Sequence, residues 1–334
     1  MFEELQHTHP DAWQPAHWQY LITGEFDDPQ TLGLLACLTP DACGTSSIKH
    51  LCEALKPHQK AIPPWPYTPL LDVCGTGGSG QQHYNTSTTV AMVLGALGCQ
   101  VNKFGNRAVT SASGSFDFLE ALEIHAVGKL NRLADALGHT NVAFTFAPEV
   151  YPSLKRLSEL RQQLKQKTIF NYVGPLLNPS PIAWRVLGCS HEGIQPALAQ
   201  HLLHTPSLKR AVVLRSHCGL DEWHPNHPAQ ALWCHANATV LEEDRLPALH
   251  SHLHPPPPSD DTTDALSNAK RFWELANGWD TESLAYHQVL QNSALALHVV
   301  HADVPLGDAL NEVQQVLRCK GLLEVFKKLQ RVYH

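Results

Sequence analysis

A chain of 334 residues that is 43% hydrophobic and 16% charged can bury a sizeable core, and its length predicts two domains. This composition excludes a disordered polymer. A net charge of −7, with histidine neutral, counts against a general nucleic-acid binder.

In chain order, residues 1–65 predict a small N-terminal helical domain, which part of the later helices can join. Apolar residues recur at 3–4 spacing in Trp18–Thr23 and Thr31–Leu38, and Ser46-Ser47-Ile48 opens a further helix that runs to Leu55. Ala61–Pro69 carries four prolines and marks the boundary. Residues 66–334 predict an α/β domain. Strand-like runs at Leu70–Cys74, Cys99–Lys103, Val142–Phe146, Arg185–Cys189 and Ala211–Arg215 alternate with helical segments at Ser87–Leu97, Phe116–Ile124, Leu130–Leu137, Leu154–Leu164 and about 193–204. That alternation predicts a mainly parallel central sheet flanked by helices, with right-handed crossovers. Ligands of such sheets bind beyond the carboxyl ends of the strands. His250–Asp264, rich in Pro, Asp and Ser, predicts a surface loop. Ser267–Ala276, Ser283–Val299 and Leu306–Gln330 predict helices.

The nine cysteines are scattered without a C-x-x-C, which fits reduced thiols in a reducing compartment. The 22 histidines include no H-E-x-x-H and no paired Cys/His spacing typical of a zinc site. His252 and His254, beside a run of prolines, are read as loop. The start MFEELQHTHPDAWQ has neither a basic beginning nor a long apolar run, so no signal peptide is expected. No apolar run reaches the roughly 18 residues of a membrane helix. A soluble, cytoplasmic protein with no membrane partner is expected.

Three stretches carry chemistry. After the first strand, Gly75, Gly77, Gly78 and Gly80 are followed by Asn85, Thr86, Ser87, Thr88 and Thr89 at a helix start. Glycine admits close backbone approach, and hydroxyls with a helix N-terminus favour an anion. Neither a G-x-G-x-x-G opening directly into a helix nor a G-K-[ST] is present, so dinucleotide and P-loop readings fail. After the second strand, Lys103 and Arg107 flank Gly105-Asn106, and the hydroxyl-rich run to Ser115 leads into a helix. A solvated lysine is the ordinary reading of Lys103 alone; two such cradles so close together argue for a phosphate ligand. After the strand Ala211–Arg215 comes Gly219-Leu220-Asp221-Glu222, whose adjacent carboxylates suit a hard cation such as Mg²⁺ and otherwise read as a solvated turn.

As a set these motifs resemble the anthranilate phosphoribosyltransferase family. That family carries G-T-G-G-D-G, N-x-S-T, K-H-G-N-R, S-G-S near L-E-A-L, F-A-P, an Arg a dozen residues before L-G-P-L-x-N-P, and D-G-x-D-E. Here stand Gly75–Gly80, Asn85–Thr88, Lys103–Arg107, Ser113–Ser115 with Leu119–Leu122, Phe146-Ala147-Pro148, Arg161, Gly174–Pro179 and Gly219–Glu222, and Asn292–Leu297 resembles a late family helix. The resemblance runs from roughly residue 20 to 330. It implies a helical domain beside an α/β domain, the active site between them, in a homodimer. It implies transfer of 5-phosphoribosyl from phosphoribosyl pyrophosphate to the anthranilate amine in tryptophan synthesis, with release of pyrophosphate and with Mg²⁺ as cofactor. Carried over, Gly75, Thr76, Gly77, Gly78, Ser79, Gly80, Asn85, Ser87, Thr88, Lys103 and Ser115 hold the donor. Ser87, Asp221 and Glu222 hold the metal, and Phe104, Asn106, Arg161, Gly174 and Pro175 face the acceptor. The acceptor is already a neutral amine, so no general base is assigned.

Three positions depart from the family pattern. Phe104 replaces the His of K-H-G-N-R, Ser79 replaces the Asp of G-T-G-G-D, and Ser216-His217-Cys218-Gly219 precedes Asp221 where the family has G-x-D-G. Two alternatives stand beside the main reading. One is the same transfer to a different aromatic acceptor. The other is a non-catalytic protein of this fold that binds nucleic acid, against which the intact glycine loop, Lys103, Asp221-Glu222 and the negative charge all count.

Overall fold

The computed structural model describes residues 1–65, 69–77, 84–108, 113–250 and 264–334. Four helices come first, α1 (Phe2–His7), α2 (Pro15–Thr23), α3 (Asp28–Cys37) and α4 (Thr45–Leu55). Proline in the first turn of α2 and α3 pre-sets the helical φ. Asp27 caps α3 by accepting from Gln30 N at 2.8 Å. Asp11 does the same for α4 from outside it, with Oδ1 accepting from Ser47 N at 2.8 Å. The buried faces of α2 and α4 join Trp18 and Leu21 to Ile48 and Leu51.

The chain continues through β1 (Leu70–Gly75), α5 (Thr86–Ala96), β2 (Val101–Gly105), α6 (Ser115–Ala121), α7 (Leu133–Thr140), β3 (Val142–Phe146) and α8 (Ala147–Val150). Next come α9 (Lys155–Leu164), α10 (Ile169–Val173), β4 (Ile182–Gly188), α11 (Gln195–Leu203), β5 (Arg210–Ser216), β6 (Ala229–His235) and β7 (Glu242–Leu246). The last helices are α12 (Ala265–Ala276), α13 (Leu284–Val300), α14 (Leu306–Arg318) and α15 (Gly321–Tyr333). Among the described residues the strands form one sheet in the order β3-β2-β1-β4-β5-β6-β7. β1 to β5 pair in parallel, as the alternation predicts, whereas β6 and β7 are antiparallel. The chain leaves β1 toward β2 on one side, and β4 lies on the other. This strand-order reversal opens a crevice at the carboxyl ends of β1 and β4.

α5 floors that crevice. It is apolar nearly all round because it lies between the sheet and helices α13 and α15. Gly95 permits the close fit, since a Cβ there would meet Val142 Cγ2 at 2.2 Å and Thr140 O at 2.7 Å. α13 is buried along almost its whole length.

The fold departs from the sequence expectations in several places. β6 and β7 are absent from them. β6 shows no alternation, because four successive residues, Ala231–Cys234, are buried. β7 (EEDRL) is a charged edge strand whose exposed side chains discourage further pairing. The single helix expected over Leu306–Gln330 is two helices, broken where Lys320 takes a left-handed φ of 61°. The amphipathic pattern runs through the break because both helices bury one face. Within the allowance for later helices at the N-terminal domain, and not as a departure, α9 packs on α3 and α10 on α4. Arg156 donates to Asp28 Oδ1 at 2.7 Å and to Phe26 O at 2.8 Å, and Ile169 N donates to Leu38 O at 2.8 Å. Of the expected surface loop, residues 251–263, with His252 and His254, lie outside the described residues; Asp264 caps α12 by accepting from Ser267 N at 2.8 Å. None of the nine cysteines forms a disulfide. Among the described residues no helix is long and apolar enough to cross a membrane.

Candidate active site

Gly75 at the end of β1 stands opposite Gly188 at the end of β4. Neither position has room for a side chain. A Cβ on Gly188 would lie 1.6 Å from Asp221 O, and one on Gly75 would lie 2.2 Å from Asp221 Oδ2. The two glycines let the loop after β5 fold over the strand ends and deliver Asp221 and Glu222, both buried, to the crevice. Gly77 takes φ 66°, a conformation glycine adopts without strain, and its N donates to Asp221 Oδ2 at 2.7 Å. Thr76 N donates to Gly188 O at 2.9 Å, and Ser190 Oγ donates to Gly77 O at 2.7 Å. The start of the glycine loop is thus rooted in the loops after β4 and β5.

The second strand supplies the cation. Lys103 is buried, and its Nζ donates to Val73 O at 2.8 Å and to Ser87 Oγ at 3.0 Å. Burial lowers its pKa, while the nearby Cys74, Asp72, Glu222 and Asp221 oppose that shift. Asn85 joins the two polar loops. Its N donates to Asn268 Oδ1 at 2.9 Å and its Nδ2 donates to Ser113 Oγ at 3.0 Å. Glu222 accepts from Gln288 Nε2 on α13. Asp221, Glu222 and Ser87 line one cavity and offer oxygen atoms only. Two adjacent buried carboxylates are costly without a cation, and an all-oxygen set suits a hard ion that keeps part of its ligand shell for phosphate oxygens. The residues present therefore fit Mg²⁺.

That cavity, of about 870 Å³, extends from the strand ends to α9 and α10. On the far side Arg161 reaches it from α9, stacked over the Phe170 ring at 5.6 Å. Burial alone lowers Arg161 to about 10, so the guanidinium keeps its charge at neutral pH. Its Nε is buried without a hydrogen-bond partner, and among the described residues no carboxylate pairs with it. Phe104 is buried against the edge of Tyr151, ring centroids 6.4 Å apart, and forms an apolar wall. The Gly174-Pro175 turn is held from below, because Arg185 Nη1 donates to Pro175 O while its guanidinium faces the buried Asp72 at 3.7 Å. Burial raises the Asp72 carboxyl, and Arg185 opposes the rise.

The crevice brings together Gly75, Thr76, Gly77, Asn85, Ser87, Lys103, Phe104, Asn106, Ser115, Arg161, Gly174, Pro175, Asp221 and Glu222 as its lining. Gly78, Ser79 and Gly80 lie outside the described residues. Thr88 is buried within α5, its Oγ1 without a hydrogen-bond partner among the described residues, and it is not among the lining residues. Arg107, counted with the second cradle, forks onto Glu120 of α6, with Nη1 to Oε2 at 2.8 Å. Ser115 Oγ donates to Asn106 O at 3.1 Å and closes that loop. Sequence reasoning missed Ser190, Asn268 and Gln288. Each is a lone polar residue in an otherwise ordinary segment, and no local pattern marks it.

A family model described as "Glycosyl transferase family, a/b domain" matches residues 67–318, so fold and site define a glycosyl-transferase-type α/β protein. An anthranilate phosphoribosyltransferase of Caldicellulosiruptor saccharolyticus is 30% identical over 94% of this chain and 91% of its own length. The chain belongs to the anthranilate phosphoribosyltransferase family. Proteins of that name from Exiguobacterium sibiricum and Lactococcus lactis are 42% and 38% identical, over stretches that span 45% and 65% of those relatives. The fold is shared with the Thermus thermophilus anthranilate phosphoribosyltransferase, with a TM-score of 0.83 at 23% identity over 100% of this chain and 95% of that one. It is shared also with the Saccharomyces cerevisiae enzyme in complex with PRPP and Mg, with a TM-score of 0.82 at 20% identity over 96% and 92% of the two chains.

Proposed function

We propose that this protein transfers the 5-phosphoribosyl group of phosphoribosyl pyrophosphate to the amine of anthranilate, releasing pyrophosphate, with Mg²⁺ as cofactor. The observation that carries this reading is one cavity with two chemically opposite ends. Two buried carboxylates, Lys103 and Gly75-Thr76-Gly77 stand at one end, and the guanidinium of Arg161 stands at the other. Gly75, Thr76, Gly77, Asn85, Ser87, Lys103 and Ser115 hold the donor, with Gly78, Ser79 and Gly80 assigned from the sequence. Ser87, Asp221 and Glu222 hold the metal, which when bound neutralises charge on the leaving pyrophosphate.

Breaking the C1–oxygen bond builds positive charge on the ribose and negative charge on the leaving group. Lys103 meets the second of these from its anchorage on Val73 O and Ser87 Oγ. Arg161 fixes the benzoate carboxylate by paired hydrogen bonds. Phe104 and the Gly174-Pro175 turn bound the ring and aim its amine, and Asn106 faces the acceptor from the second loop. The amine attacks in its neutral form, and the ammonium formed with the C1–nitrogen bond releases its proton to solvent as pyrophosphate leaves, so orientation replaces base catalysis. The reading extends to a cytoplasmic homodimer with a domain division near residue 65, which sedimentation and limited proteolysis test.

The test follows loss of anthranilate fluorescence on mixing with phosphoribosyl pyrophosphate and Mg²⁺. Turnover is expected, and Asp221→Asn with Glu222→Gln should abolish it, by about 10³-fold or more, while the circular dichroism stays unchanged. Pyrophosphate release with another aromatic amine but not with anthranilate would reassign the acceptor. Absence of donor binding by calorimetry would remove the transferase reading altogether.

A further inference from the structure

The loop 217–228 between β5 and β6 carries Asp221 and Glu222, and it carries a second set of ligand-type side chains. Cys218, His224 and His227 each offer one ligand atom, and these atoms all lie within 4.8 Å of one another. The rings of His224 and His227 have centroids 4.9 Å apart. We propose that Cys218, His224 and His227 form a binding site for a thiophilic divalent cation such as Zn²⁺, separate in chemistry from the oxygen-lined site of Asp221 and Glu222.

The geometry is close to what such an ion needs. Zinc bonds of about 2.0–2.3 Å in a tetrahedron place ligand atoms about 3.3–3.8 Å apart. Side-chain rotation of about an ångström closes the set. The backbone beneath it is already fixed. Gly219 takes φ 87° and donates to Ser216 O at 2.8 Å, His217 N donates to Pro228 O at 2.9 Å, and His227 N donates to His224 O at 3.2 Å. His224 Nδ1 accepts from Asn226 N at 3.1 Å. Capture of the ion through either His224 nitrogen gives up that hydrogen bond in exchange for a metal bond, because a neutral ring has one free lone pair. The Cys218 thiol loses its proton to solvent as the sulfur–metal bond forms. Three protein ligands leave a fourth position for water. Softness separates the two sites, since thiolate and imidazole select Zn²⁺ or Co²⁺, and carboxylate and hydroxyl select Mg²⁺. The spacing, Cys-x5-His-x2-His, lies outside familiar zinc patterns, and the turn at Gly219 is what brings the cysteine back to the histidines.

Co²⁺ is the probe, because cobalt bound to thiolate gives a sulfur-to-metal charge-transfer band and tetrahedral d–d bands. The whole protein is titrated in a Cys37→Ser/Cys319→Ser background, which removes the two exposed thiols. Expected are the charge-transfer band at one equivalent, its displacement by Zn²⁺, its loss in Cys218→Ser and a 10–100-fold weaker affinity in His227→Ala. His227 is exposed, so that second variant keeps the fold. Asp221→Asn with Glu222→Gln should keep the band. No charge-transfer band, or a band that survives Cys218→Ser, overturns the site. A band lost in the Asp221/Glu222 variant would tie the cobalt–thiolate centre to that pair and equally overturn a separate site.

Discussion

Asn292 on α13 grips the backbone of Trp223 from both sides. Its Oδ1 accepts from Trp223 N at 2.9 Å, and its Nδ2 donates to Trp223 O at 2.8 Å. Trp223 directly follows Glu222, so a helix remote in sequence sets where the two carboxylates lie. Gln288, one turn earlier on α13, meets Glu222 itself. Replacing Asn292 by Ala strands Trp223 N in the interior, while Trp223 O keeps the hydrogen bond donated by Gln291 Nε2. Unfolding free energy should fall by about 1–3 kcal/mol in a urea titration, and the Mg²⁺ concentration for half-maximal rate should rise. Unchanged Mg²⁺ dependence would mean that the loop is held without this clamp.

Gly188→Ala tests the close approach of Asp221 to the sheet. The added carbon would meet the backbone oxygen of Asp221, which no rotamer change relieves. A loss of about 1–3 kcal/mol or more is expected from overpacking. Residual activity should need much more Mg²⁺. Melting and Mg²⁺ dependence like those of the parent protein would refute the fit.

Lys103→Met separates catalysis from stability. Turnover should fall by about 10²–10³-fold. Stability responds to pH with a definite sign. The unfolded chain keeps the Lys103 proton up to its ordinary value of 10.5, whereas the folded chain releases it at lower pH. Between those two values the unfolded state binds more protons, so this residue adds stability as pH rises. The stability of the parent protein relative to Lys103→Met should therefore climb toward pH 10.5. Urea midpoints of both proteins at several alkaline pH values check the slope, and a falling difference would contradict the assignment.

Arg161→Gln removes the half-buried cation of the acceptor end. The KM for anthranilate should rise by about 10²-fold, the loss of one paired, charge-assisted contact. The KM for phosphoribosyl pyrophosphate should stay within a few-fold. Stability should hold or rise slightly, because a desolvated charge with no protein counter-ion is lost. Equal effects on both substrates would remove Arg161 from the acceptor end.

The local chemistry of this protein is written in consecutive residues. The apolar run into Gly75, the Ser and Thr residues at the start of α5, the Lys103–Arg107 stretch and the Asp221-Glu222 pair each announce themselves within about ten positions. Glycine freedom, helix capping and carboxylate adjacency are short-range properties. Strands from β1 to β5 were legible for the same reason, because buried parallel strands read as apolar runs between helices.

Tertiary structure decided the rest. β7 reads as a charged segment until it pairs with β6, and the break at Lys320 is hidden because the apolar face continues through it. Asn292, Gln288, Asn268 and Ser190 act on the site only because α13, α12 and the β4 loop pack there. The requirement for glycine at 188 exists only against the backbone of Asp221. Contacts between residues far apart in the chain depend on how whole faces of helices and sheet bury against one another, and a local window of sequence carries no record of that pairing.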